Sequence, residues 1–223
     1  MAASPRRLRI PALIALLVAA GCATPHGAVN PALKAAGESH DALATADALE
    51  ALIERGADTP ADREYAYQVI QAEESDDAAY AFARASVTGR LVQLRGLTGA
   101  SQVGEVEYWA QRSRTLDPDF RDAAATRLLG TLYVIAPSTF LEHGDSERGL
   151  EMLEKLVEQH PEVVENQLRV SEAYIALGDP EPAGPHLCEC LAHRSKLRRD
   201  DQQLLDQLVA TAGTPECAAG ASD

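Results

Sequence analysis

Residues 161–195 read PEVVENQLRVSEAYIALGDPEPAGPHLCECLAHRS, and this stretch decides the fold. Its middle, Leu177-Gly178-Asp179-Pro180, holds the signals that end one helix and start another. A glycine past a helix end adopts the left-handed conformation without steric cost. Asp179 is placed to cap the next helix, and Pro180 sits where a missing N–H costs nothing. Two helices joined this tightly fold back on each other as an antiparallel hairpin. The positions inside the hairpin are also ordered. Val170, Ser171 and Tyr174 fall on the first helix, and Ala183, Leu187 and Cys190 on the second, before Ser195 closes the unit 34 residues after Pro161.

The same offsets recur upstream. Gly149, Leu153 and Leu156 precede Pro161 as Ala183, Leu187 and Cys190 precede Ser195. Gly130 and Tyr133 lie on the helix before, although the intervening linker is about seven residues longer than a tight repeat allows. Val106, Ala110 and Ser113 stand in the same relation to Pro118, with Gly89 and Val92 on the preceding helix. A small residue, a tyrosine three later, an alanine nine further on and then steps of four and three resemble the tetratricopeptide repeat (TPR). Helices are expected near 39–55, 60–74, 77–96, 102–116, 120–135, 146–159, 163–178, 181–194 and 198–212. The expected fold is all-α: antiparallel helix pairs stacked as a TPR-like solenoid. Leu204, Leu205, Leu208 and Val209 give the last helix one apolar face, as a capping helix needs.

Composition agrees with closely packed helices. Aromatic residues make up only 4% of the chain, fewer than a sandwich or barrel would use. The formal net charge is −14. Residues 1–21 hold three arginines and no acid, so the remainder carries 17 Lys+Arg against 34 Asp+Glu. That balance argues against nucleic acid, whose proteins need clustered positive charge. It also argues against lying flat on an anionic membrane, and it suits a basic partner.

At the N-terminus, Arg6, Arg7 and Arg9 precede an apolar core from Ile10 to Ala20 that is too short to span a bilayer. It ends Val18-Ala19-Ala20-Gly21-Cys22. This ending resembles the lipobox of bacterial lipoproteins, which implies cleavage after Gly21 and lipidation of Cys22. The expected organisation is a lipoprotein signal peptide at 1–21, a flexible tether at 22–37, a helical repeat domain at 38–213 and a tail at 214–223. The expected place is the cell envelope, facing the periplasm and held to the membrane only by the N-terminal lipid. By the lipoprotein sorting rule, Ala23 favours the outer membrane.

Residues 127–183 carry a narrower likeness. Leu128-Leu-Gly-Thr-Leu-Tyr-Val-Ile-Ala-Pro137, a loop ending Gly144-Asp145, Glu165-Asn-Gln-Leu168 and Glu172-Ala-Tyr174 are similar to the T component of tetratricopeptide-associated TRAP transporters, the TatT family. The over-long linker is part of the likeness, which covers about residues 77–195. The loop Pro137-Ser-Thr-Phe-Leu141 lacks the tryptophan expected there. The resemblance implies a lipoprotein that is not an enzyme and binds no cofactor. It implies an internal channel and association with a periplasmic solute-binding protein that handles hydrophobic or carboxylate-bearing ligands. The rival function for such a scaffold is an adaptor in outer-membrane or secretion-system assembly.

A repeat array binds on the face made by the first helix of each pair. Glu165, Leu168, Glu172 and Ile175 are spaced to share that face. Tyr133, Phe140, Asn166, Leu168 and Glu172 are therefore the candidate ligand or partner residues. His186, Cys190 and His193 also share a helix face, but Cys190 occupies a small packing position, so no metal site is expected. An oxidising periplasm favours a disulfide. Cys217 reaches Cys188 more easily than the buried Cys190. No catalytic motif for a serine nucleophile, a zinc protease or a phosphate loop is present.

Overall fold

The computed structural model describes residues 27–217. The expected signal peptide, the expected lipidation site at Cys22 and the tail beyond 217 lie outside the described residues. Every regular element among the described residues is a helix. They run α1 (Pro31–Gly37), α2 (Ala42–Glu54), α3 (Pro60–Gln71), α4 (Ala78–Arg95), α5 (Val103–Leu116), α6 (Phe120–Ile135), α7 (Ser146–Gln159), α8 (Val164–Ala176), α9 (Ala183–Ala192) and α10 (Arg199–Ala212). None is long and apolar enough to cross a membrane.

The expected tether is corrected over its second half. Asn30 accepts a hydrogen bond from the Ala32 N–H, and Pro31 opens α1 with its φ already helical. Leu33 is fully buried among residues of α2 and α3. Asp62 joins this entry to α3. Its carboxylate accepts from the Thr59 N–H (2.9 Å) within a capping box and from the Asn30 N–H (2.7 Å).

Consecutive helices pack as antiparallel hairpins. Across α4 and α5, the Ser113 hydroxyl donates to the Ala78 carbonyl and Arg84 donates to Glu105. Across α6 and α7, Gly130 faces Leu153 and Gly149 faces Tyr133. Across α8 and α9, His186 stacks on Tyr174 while Cys190 meets the Val164 carbonyl. Gly178 takes φ +83°, as a helix-ending glycine should. Asp179 does not cap α9, however. Pro180 and Pro182 spend the next residues in a turn, and α9 starts at Ala183.

The hairpins form a closed circuit. Helix α2 packs on α4, α4 on α6, α6 on α8 and α8 on α10, and α10 returns to α2. Helices α3, α5, α7 and α9 pack outside this circuit, each touching the two inner helices that flank it in sequence. On α10, Leu205 and Leu208 are buried against Leu168, Leu187 and Leu197, which covers the end of the last hairpin. Cys188 is bonded to Cys217, tying the chain after α10 to the outer face of α9, and Cys190 is a buried free thiol.

The long connection after α6 is tied down by one acid. Glu107, 1% exposed on α5, accepts from the backbone N–H groups of Glu142 (2.7 Å) and His143 (2.8 Å). This satisfies two loop donors that have no helical partner.

Candidate functional site

The five inner helices surround a cavity of about 430 Å³. Its apolar wall comes from Phe82 and Val92 of α4 and from Leu128, Leu132 and Ile135 of α6. Its polar wall carries five arginines (Arg90, Arg121, Arg127, Arg169, Arg198) and five acids (Asp47, Glu50, Glu165, Glu172, Asp201). Ten charged residues, drawn from all five inner helices, line this cavity, and most of them are paired.

One network closes the circuit between α10 and α2. Glu50 accepts from Arg90 Nε (2.8 Å) and Nη2 (2.7 Å) and from Arg198 Nη1 (2.7 Å). Both guanidiniums also reach Asp200, at 3.1 and 3.0 Å. Arg169 of α8 pairs with Glu172 (2.9 Å) and with the buried Asp201. Burial would raise the Glu50 pKa, but hydrogen bonds and charge from Arg90 and Arg198 outweigh it and hold the carboxyl down at about 2. Burial raises the Asp201 pKa, and the neighbouring arginines offset this only in part.

A second bridge spans the circuit from α6 to α2. Arg121 makes a bidentate pair with Asp47, at 2.6 and 2.7 Å. Its guanidinium also lies over the rings of Phe82 and Phe120. Arg121, Asp122 and Ala123 all have φ between 51° and 56°, so the first turn of α6 is left-handed. Such residues cost about 1–2 kcal/mol each, and this turn carries the arginine that bridges to α2.

Arg127 differs from the other four. Its Nη1 donates to Asn166 Oδ1 (2.8 Å) and to the Asp122 carbonyl (3.4 Å). Asn166 is fully buried and is itself held by its Nδ2 donating to the His160 carbonyl (3.2 Å).

The candidate residues divide. Glu172 lines the cavity, as does Glu165. Leu168 does not. It is fully buried with Leu187, Cys190 and Leu205, because its turn of α8 faces α9 and α10. Tyr133 is also core, 2% exposed beside Leu129 and Met152, with its hydroxyl accepting from Gln111 Nε2 (2.9 Å). Asn166 touches the cavity only through Arg127. Phe140 is partly exposed in the turn 138–140, near Gly104 of α5 and away from the cavity. His186, Cys190 and His193 do not converge. His186 bonds Gln167, Cys190 is buried and His193 pairs with Glu189.

The residues missed in sequence are those of α4, α6 and the start of α10. Phe82, Ser86, Gly89 and Gln93 on α4, and Ala124, Leu128, Thr131 and Ile135 on α6, repeat at three and four, a signal that was present in the chain. No protein-family model matches this chain, and neither does any curated protein.

Proposed function

We propose that this chain is a lipid-anchored, TPR-like binding protein of the bacterial envelope that works with a periplasmic solute-binding protein of a TRAP-type transport system. One observation carries the reading: the first helices of successive pairs surround a cavity of about 430 Å³, a size suited to a small solute. The repeat offsets at Gly130, Gly149 and Ala183 support a TPR-like stacking, because each places a small or buried residue where paired helices meet. The acidic surface suits a basic face on the partner. The protein acts by holding and presenting, without chemistry or a cofactor of its own. The alternative, an adaptor in outer-membrane or secretion-system assembly, would use the same inner face for a segment of a protein partner.

Affinity capture of the tagged full chain from bacterial membranes, read by mass spectrometry, tests this. The expected result is enrichment of a solute-binding protein. Enrichment of outer-membrane assembly or secretion components instead would move the assignment to the adaptor. The anchor is tested separately. Cys22→Ser should shift the protein from the membrane to the soluble fraction with unchanged helical circular dichroism, and retention in the membrane would remove the lipoprotein assignment.

A further inference from the structure

We propose that the rim of the helix circuit at the ends of α4 and α6 rests on the membrane, with Leu94, Leu97, Ile135 and Phe140 entering the headgroup layer of a zwitterionic bilayer. This rests on the reading of Cys22 as lipidated and adds which side of the protein the lipid holds down.

The argument begins with where apolar side chains are left uncovered. The inner helices all run in one direction, because each is joined to the next through an antiparallel outer helix, so their C-terminal ends share one rim. Eight large apolar residues are more than a third exposed among the described residues, and five of them lie at this rim. They are Leu94 and Leu97 at the end of α4, Ile135 and Phe140 at the end of α6, and Leu177 at the end of α8. Leu97 is 92% exposed. The other three, Tyr108, Leu116 and Leu191, sit apart on α5 and α9.

Charge divides the two rims in the same way. Residues 96–102 read GLTGASQ and residues 136–141 read APSTFL, with no charged side chain in either. The two connections are neighbours, since a Cβ on Gly104 would lie 4.0 Å from the Phe140 carbonyl oxygen. Arg95 beside them is paired with Glu64 at 2.7 Å. At the opposite rim, residues 72–77 read AEESDD and residues 117–119 read DPD, which puts six acids in nine residues. Anionic phosphates repel that rim. The uncharged rim buries apolar side chains without desolvating a charge.

The entry point of the chain says what covers the patch. The Asn30 N–H donates to Asp62 in the first turn of α3, and α3 starts at the uncharged rim because it follows the end of α2. Cys22 lies eight residues before Asn30, at most about 28 Å of chain. The acidic rim is farther from this entry by the length of α2, which has 13 residues and so spans about 20 Å. A lipid on Cys22 therefore holds the uncharged rim toward the bilayer and the acidic rim away from it.

The test uses the full chain purified from bacterial membranes and placed in phosphatidylethanolamine–phosphatidylcholine vesicles that contain doxyl-labelled lipid. Leu97→Cys and, at the opposite rim, Leu116→Cys each carry a fluorescent thiol probe at an exposed position, with the unsubstituted chain as the blank. Apolar side chains seated at an interface lie about 5–10 Å into it, so the probe at 97 should be quenched at least about twofold and the probe at 116 hardly at all. Adding Ile135→Ser and Phe140→Ser should remove at least about half of the quenching at 97, with helical circular dichroism unchanged. Equal quenching at the two positions, or none at 97, would overturn the proposal. So would a probe at 97 that lipid does not quench but whose emission follows protein density, because a second copy would then cover the rim. Mass spectrometry of the purified chain separates the two readings. A chain without lipid on Cys22 removes the anchor and this proposal together, and a lipidated chain with an unquenched probe at 97 removes this proposal alone.

Discussion

Glu50→Gln is expected to lower stability at pH 7 by about 3 kcal/mol, because it leaves Arg90 and Arg198 facing an uncharged amide in a largely enclosed site. For a chain of this size that is a fall in melting temperature of roughly 10 °C. The side chain is the meeting point of α2, α4 and α10, so its loss opens the circuit where residues 148 apart in sequence touch. The charge origin of the effect has a pH signature. The folded pKa of Glu50 is about 2, against an ordinary value of 4.5. A depressed carboxylate contributes stability that is complete above its unfolded pKa and is lost as pH falls through 4.5 toward 2. The gap between wild type and Glu50→Gln in urea unfolding should therefore shrink by about 2 kcal/mol between pH 7 and pH 3. Asp201 works in the opposite sense. Its raised pKa means that protonation on acidification relieves a cost, so the wild-type acid loss is smaller than Glu50 alone would give. An equal gap at both pH values would show that the arginines are not what holds Glu50 in place.

The helices were legible because their ends are local chemistry. Thr59-Pro60 and Gly144-Asp145 mark starts that depend on side chains within a few residues, and α3 and α7 begin where they indicate. Helix α1 escaped because its segment carries a single large apolar residue on its inner face, too little to show a period. What makes it a helix is the burial of Leu33 and the bond from Asn30 to Asp62, 32 residues away. On α8, spacing alone placed Glu165, Leu168 and Glu172 together. Four helices pack against α8, so the stripe splits, with Glu165 and Glu172 toward the cavity and Leu168 toward α9 and α10. Arg127 was illegible for a different reason. An arginine is interesting when it lacks a counter-charge, and that is known only once Asn166, 39 residues on, is seen to hold it.

Gly149→Ala tests a close contact between α6 and α7 and should also destabilise strongly. A Cβ at Gly149 would lie 2.7 Å from the Gly130 carbonyl oxygen and 2.8 Å from Tyr133 Cβ. A Cβ at Gly130 would lie 2.7 Å from Leu153 Cγ. The Gly149 contacts are with a backbone oxygen and a side-chain root, which cannot rotate away, so α6 and α7 must separate. Helix propensity favours alanine over glycine by about 1 kcal/mol, while forced overpacking costs about 1–3 kcal/mol and occasionally more. At a contact this close the packing cost should win, for a net loss of about 2 kcal/mol and a fall in melting temperature of roughly 6 °C. Gly89→Ala is the control: it too lies inside a helix, α4, but a Cβ there meets its nearest neighbour, Val106 of α5, only at 4.0 Å, an ordinary contact. It should therefore keep the propensity gain and raise the melting temperature slightly. The two substitutions share one chemistry and differ only in the neighbouring helix, so opposite signs would assign the loss at Gly149 to the α6–α7 crossing. A Gly149→Ala protein as stable as the wild type would mean that α6 and α7 do not meet through this pair of glycines.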